Sequence, residues 1–180
     1  MLNCRMPPFY RLSFSLIGLL IIFTALLAGC AASSTAVMDE EIVTNEKPMA
    51  TYKRLLLSDF ELDPELYTDL PEAGPGERER RYAQVPAQLT DQVQRYVKSR
   101  HIYDSVSRDE LLSPTTLVLK GRFTRMGRFR ISIEAMLLDG ASGQEVAYFR
   151  QTLWDVFDTT EAVGRLGHEI ADFIDRIQYK

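Results

Sequence analysis

Two neighbouring stretches in the second half of the chain alternate strictly between apolar and polar positions. They cover residues 116–124 and 129–138, and a period of two is typical of β-strands with one buried face. The predicted core-facing residues are Leu117, Leu119, Gly121 and Phe123 in the first strand and Phe129, Ile131, Ile133, Ala135 and Leu137 in the second.

The short connection between these strands predicts a hairpin. Residues 125–127 fit a three-residue loop that ends in glycine. The predicted register pairs Phe123 with Phe129, Gly121 with Ile131 and Leu119 with Ile133. It also sets Arg122 directly opposite Arg130.

A third strand is predicted at residues 145–153, after a turn at residues 139–143. A register that places Glu134 opposite Arg150 puts Ala147, Phe149 and Leu153 on the core face. The three strands together form an antiparallel meander.

Two amphipathic helices are predicted from apolar residues that recur every three or four positions. The first covers residues 86–100, and its stripe is Leu89, Val93, Tyr96 and Val97. The second is capped by Asp158 or Thr159 and runs to the C-terminus, with the stripe Val163, Leu166, Ile170, Phe173, Ile174 and Ile177.

The rest of the domain is predicted to hold a buried strand at residues 52–60 and a short edge strand at residues 102–106. Residues 61–84 are predicted to form a long loop, and residues 31–50 a flexible, acidic tether. We therefore predict an α+β fold, a two-layer sandwich in which a mostly antiparallel sheet carries two helices on one face.

The N-terminus has a basic flank, an apolar run and a small pair before a cysteine. This N-terminal segment ends with Leu27, Ala28, Gly29 and Cys30. These four residues resemble the lipobox of bacterial lipoprotein signal peptides. The resemblance implies a signal peptide at residues 1–29, acylation of Cys30 and anchoring in a lipid bilayer. Residues 30–50 would then be the lipidated cysteine and its tether, and residues 51–180 a single periplasmic domain. The alternative is an uncleaved signal-anchor helix.

Charge and cysteine content narrow the function classes. Removal of residues 1–29 leaves 19 of the 21 basic side chains against 25 acidic ones, a formal charge of −6. This balance argues against nucleic acid as a partner. No cysteine remains for a disulfide, so the domain depends on its apolar core.

The meander also resembles a pattern found in small bacterial lipoproteins. The shared features are the strand motif Gly121-Arg122-Phe123 and the turn at residues 139–143. The domain is similar to lipoproteins of unknown function that are related in architecture to the curli-secretion lipoprotein and the penicillin-binding-protein activator lipoproteins. A second resemblance, through the order of strands and final helix, is to ABC-transport auxiliary lipoproteins. The absence of aspartate after Cys30 implies, by resemblance to Gram-negative lipoproteins, an outer-membrane location.

Two surfaces are candidates for binding. One is the basic edge of the meander, where Arg122, Arg125, Arg128 and Arg130 could hold an anion or an acidic partner. The other is the sheet face opposite the helices, where Leu56, Val118, Met136, Leu138 and Tyr148 would cluster. Such an apolar patch marks an interaction site unless residues 61–84 or the tether cover it.

No pattern in the chain predicts a catalytic site, a cofactor or a metal site. The acidic residues Asp59, Glu61, Asp63 and Glu65 lack the glycine and terminal glutamate of a calcium loop, which favours a solvated turn. We therefore expect a non-catalytic adaptor or assembly factor for an envelope protein complex, with association between copies of the chain as a further option. The alternative is an auxiliary subunit of an ABC-type lipid transporter.

The lipobox makes a direct prediction for Cys30→Ser. Serine cannot form the thioether, so the variant should carry no lipid and should persist as an uncleaved precursor. Metabolic labelling with a fatty-acid analogue measures this. Label that remains on the Cys30→Ser protein would contradict the lipoprotein assignment.

Overall fold

The computed structural model describes residues 35–44, 46–67, 75–109, 111–127 and 129–179. Its strands are β1 (Thr35–Val43), β2 (Arg54–Leu57), β3 (Ser105–Ser107), β4 (Thr116–Met126), β5 (Arg130–Asp139) and β6 (Glu145–Trp154). Its helices are α1 (Pro75–Tyr82), α2 (Val85–Ser99) and α3 (Thr159–Ile177), with short 3-10 turns at Met49–Thr51 and Pro64–Leu66.

The six strands form one mixed sheet in the order β1-β6-β5-β4-β2-β3. The pairs β1–β6, β6–β5 and β5–β4 are antiparallel, whereas β2 runs parallel to both β3 and β4. This arrangement confirms the predicted α+β class with a mostly antiparallel sheet. The three-residue strand β3 lies at one edge, as the sequence predicts.

Helices α2 and α3 pack against each other and seal one face of the sheet. Every residue of the predicted α3 stripe is buried, and Phe173 stacks on Phe149 of β6 with ring centroids 4.9 Å apart. The carboxylate of Asp158 caps α3 by accepting the Thr160 N–H at 2.7 Å. Gly167 allows close approach of α2, because a Cβ there would lie 2.6 Å from the Cβ of Gln92.

The prediction of a flexible tether was wrong for Thr35–Val43, which form β1 at the edge of the sheet. A register irregularity between Met38 and Glu40 interrupts the alternation of this strand, so its sequence lacks a period-two pattern. Glu41 on the core side pairs with Arg176 of α3 at 2.6 Å, and this contact fixes the strand near the end of the helix.

The predicted loop at residues 61–84 contains a helix and a 3-10 turn. Helix α1 has a single large apolar residue, Tyr82, whose ring lies 5.1 Å from that of Tyr67. Because Tyr67 is buried, this contact connects α1 to the core. Most residues of α1 are charged, so this helix has no apolar stripe from which it could be predicted.

The predicted hairpin register was wrong by four residues along β5. Phe123 pairs with Ile133, Gly121 with Ala135 and Leu119 with Leu137. Strand β4 continues through a bulge between Phe123 and Arg125 to Met126, which is 4% exposed and extends the core face. The shift is even, so the same side chains stay buried except Phe129, which is 53% exposed instead of facing the core. The predicted pairing of Glu134 with Arg150 is confirmed.

The contact of Phe173 with the sheet makes a prediction for stability. Phe173→Ala should lower the free energy of unfolding by about 3–5 kcal/mol, because a large aromatic group is removed from a closed core. Denaturant titration of residues 31–180 measures it. Tyr179→Ala is the matched control, since Tyr179 is 88% exposed and its loss should cost less than about 0.5 kcal/mol. Equal losses in the two variants would mean that α3 is not docked as described.

Candidate interaction face

The sheet face opposite α2 and α3, called the open face below, carries an apolar cluster at one end. Strand pairing aligns Leu56 with Val118, Val118 with Leu138, and Met136 with Tyr148. The structure therefore brings together the five residues that the sequence predicted. Ile42 of β1 pairs with Tyr148 and is 46% exposed, so it extends this apolar end toward the sheet edge.

A groove of about 430 Å³ runs along the apolar end. Leu56, Leu112, Val118 and Leu138 supply its apolar wall, and Lys120 and the turn at residues 139–143 close it. Leu112 is 63% exposed and lies in the connection before β4. The groove is thus an open apolar surface bordered by polar groups.

Asp139 at the end of the groove has a structural role. Its carboxylate accepts the Ala141 and Ser142 N–H groups at 2.8 and 2.9 Å, the Tyr52 hydroxyl at 2.8 Å and the Lys47 ammonium at 3.0 Å. The Ser142 hydrogen bond is the main cause of a pKa for Asp139 well below the usual range, and burial together with Asp139 raises the pKa of Tyr52. These four donors occupy the carboxylate, so it is not available to a ligand.

A row of charges of alternating sign crosses the middle of the open face. Adjacent strands contribute Glu40, Arg150, Glu134 and Arg122, paired in that order. Glu61 continues the row through a single bridge to Arg122. We call the first four residues the charge row.

Glu134 is the centre of the charge row. Its side chain is 12% exposed and lies 2.8 Å from Arg122 Nη2 and 3.9 Å from Arg150 Nε. Its hydrogen bond and charge raise the pKa of Arg122, and burial followed by Glu134 raises that of Tyr148. The half-buried carboxylate therefore lies between two exposed guanidiniums and contacts that of Arg122 more closely.

The predicted anion site at the hairpin was wrong in its geometry. Arg122 lies opposite Glu134, not opposite Arg130, because the true register avoids facing like charges. Arg130 instead stacks on Trp154, with its guanidinium carbon 4.6 Å from the ring centroid. Arg125 is exposed opposite Ser132, and Arg128 lies outside the described residues.

The predicted acidic turn is dispersed in the structure. Asp59 pairs with Arg108 at 3.3 Å, and Asp63 caps a 3-10 turn by accepting the Glu65 N–H at 2.9 Å. A depression of about 660 Å³ lies between this segment and Arg122. Within residues 35–179 as described, no three acidic, histidine or cysteine side chains converge to hold a metal ion.

The lipidation motif at Leu27, Ala28, Gly29 and Cys30 lies outside the described residues. Every helix that the structure describes is too short or too polar to span a bilayer.

Sequence reasoning missed the contribution of β1 and of three exposed aromatic residues. Glu40 and Ile42 belong to the open face only because β1 joins the sheet. Phe129, Trp154 and Phe157 are 53%, 42% and 69% exposed. The exposure of Trp154 could have been predicted, because this residue follows the core residue Leu153 in an alternating strand.

Comparison with known proteins identifies the fold. No protein-family model and no curated protein sequence matches the chain. A solved dodecamer of PelC from Paraburkholderia phytofirmans is 12% identical over 79% of this chain and 97% of that chain, with a TM-score of 0.51. The fold is similar to that of PelC. A second PelC dodecamer from the same organism gives a TM-score of 0.49 with the same identity and coverage. Protein XCC0632 from Xanthomonas campestris, described as DUF330, is 15% identical over 71% of this chain and 83% of that chain, with a TM-score of 0.44.

The charge row makes a prediction for a double-mutant cycle. Arg122→Ser should destabilise the domain, because it removes the closest partner of Glu134. The coupling free energy between Arg122→Ser and Glu134→Gln should be stabilising and should fall at high salt, because the pair is exposed on the Arg122 side. Denaturant titrations of the two single variants and the double variant measure it.

Lys98, which is exposed on α2, provides the control for this cycle. The effects of Lys98→Ser and Glu134→Gln should be additive. Zero coupling between Arg122 and Glu134 would contradict a stabilising ion pair between them.

Proposed function

We propose that this protein is a lipid-anchored, non-catalytic adaptor of a bacterial envelope complex. Its domain faces the periplasm from the outer membrane, and it assembles by self-association through the open face. The observation that carries the proposal is the apolar end of that face, which lies outside the helix-covered core. Contiguous apolar surface of this kind on a small domain is typical of an interaction site.

The charge row supports a second copy of the chain as the partner. A twofold axis parallel to the strands reverses the order of the row while each end of the face keeps its position. Glu40 of one copy then faces Arg122 of the other, and Arg150 faces Glu134. Opposite charges meet along the whole row, and the two apolar ends meet each other. Such complementarity is typical of an isologous interface.

The likeness to PelC is consistent with self-association. The PelC structures are dodecamers, and the matched region covers nearly the whole PelC chain. At 12% identity this likeness concerns the fold, and the interface proposed here is drawn from this chain's own residues.

The apolar groove favours a second candidate function. An auxiliary subunit of an ABC-type lipid transporter would need an apolar surface for acyl chains, and Leu56, Val118 and Leu138 provide one. This candidate predicts lipid bound to the purified protein, which self-association does not.

The mass of the full-length protein in detergent tests the proposal. Wild type should elute as a dimer or larger assembly when mass is measured by light scattering. Met136→Glu should elute as a single chain, since it places a charge in the apolar end of the interface. Lys120 lies opposite residue 136 and can pair with the new carboxylate, so the fold should be retained.

Tyr179→Glu adds the same charge at an exposed site outside the open face and should keep the wild-type mass. A monomeric wild type would contradict self-association. Co-purification of a different envelope protein would then assign the face to that partner. Phospholipid in the mass spectrum of the purified protein would favour the transporter candidate.

A further inference from the structure

The end of the sheet opposite the apolar end carries three exposed aromatic residues and a half-buried arginine, called the aromatic end below. It consists of Phe129, Arg130, Trp154 and Phe157, which meet where β5 begins and β6 ends. The rings of Phe129 and Phe157 pack edge to face with centroids 6.2 Å apart. Arg130 stacks on Trp154, and in the described part of the chain it forms no ion pair with a carboxylate.

The aromatic end is connected to the core through Val156. Val156, between the exposed Trp154 and Phe157, is only 3% exposed and donates its N–H to the Phe129 carbonyl at 3.3 Å. Asp155 adopts a positive φ of 57°, which turns the chain so that the residues on either side of Val156 face outward. Three large apolar side chains are therefore presented to solvent next to a buried residue of the core.

The start of β1 lies next to this cluster. Thr35 pairs with Trp154, and Trp154 pairs with Arg130, so the three residues form one row across the sheet. Cys30 is only five residues before Thr35. A fully extended chain of that length spans about 17 Å, so an acyl group on Cys30 would hold the aromatic end within that distance of the bilayer surface.

We propose that the aromatic end docks on the phospholipid surface beside the lipid anchor. The inference rests on the acylation of Cys30 in the proposed function. Tryptophan and phenylalanine suit the boundary between headgroups and acyl chains, and the arginine suits a phosphate. The anchor makes docking intramolecular, so even a weak patch is occupied at a high effective concentration.

The acidic residues near the aromatic end decide whether charge attraction or insertion of aromatic rings contributes more to membrane docking. Asp158 caps α3, and Asp39 accepts a hydrogen bond from Thr152 at 2.6 Å, but Asp155 is exposed beside Trp154. Asp155 therefore adds a negative charge to the aromatic end, which limits attraction to anionic lipid. Insertion of the aromatic rings supplies the main contribution, and the orientation places the apolar end of the open face away from the membrane.

Trp154 is the only tryptophan in the chain, so its fluorescence reports directly on this site. The test uses the full-length lipoprotein, reconstituted in vesicles of phosphatidylethanolamine and phosphatidylglycerol. Phospholipids brominated on the acyl chains should quench Trp154, and its emission should be blue-shifted relative to the protein in detergent. Aqueous acrylamide should quench it at least twofold less in vesicles than in detergent.

The control moves the tryptophan to the other end of α3. The variant Trp154→Phe with Tyr179→Trp places it beyond a helix of 19 residues, about 28 Å long, where brominated lipid should not quench it. Phe129→Ser with Phe157→Ser should reduce quenching of Trp154 by brominated lipid while the thermal unfolding midpoint stays near that of wild type, because both rings are exposed.

Intact mass spectrometry of the same sample separates the two proposals. Acyl chains on Cys30 together with Trp154 that is quenched only by acrylamide would overturn docking and leave the lipid anchor intact. A chain without acyl groups would overturn both.

Discussion

The structure depends on the contact between the α2–α3 pair and the β4–β5–β6 meander. The core joins the buried apolar side chains of one face of the meander to those of the two helices, and Phe149 of β6 stacks on Phe173 of α3 within it. The chain has no disulfide among its described residues, so this core is the main source of stability. The helices cover only one face of the sheet. The side chains on the other face are not needed for the core, so they can be used for binding.

That division also orders the functional features along the strands. The open face changes from apolar side chains through the charge row to the aromatic end, following the direction of β4 from Val118 to Met126. Each zone is one or two residues deep on every strand. The strands thus arrange side chains from separate segments of the chain into bands that run across the sheet. The apolar end and the charge row each draw on at least four strands, and the aromatic end draws on the segments around the start of β5 and the end of β6.

The helices and strands with a regular apolar periodicity were predicted correctly from the sequence. Features that do not depend on periodicity, such as the hairpin register and the strand order, were not. The stripes of α2 and α3 and the strands of the meander were correct. The hairpin register was missed because a shift of four residues leaves every alternation unchanged, and the deciding contacts are those of Met126 with the core and of Arg122 with Glu134. Strand β1 was missed because its irregularity near Asp39 and its three consecutive acids resemble a solvated segment. The aromatic end requires Thr35, Arg130 and Trp154 to be neighbours, which only the strand order reveals.

Strand β1 has a mechanical consequence. It is an edge strand, so its nine residues are attached to the rest of the sheet along one side only, through the ladder to β6. Tension applied to the chain before Thr35 acts first on this ladder, at its Trp154 end. Peeling the strand away from β6 releases about 30 Å of extended chain and breaks the contact of Glu41 with Arg176. The edge strand is therefore the first part of the domain to detach when the chain before Thr35 is pulled away from the sheet.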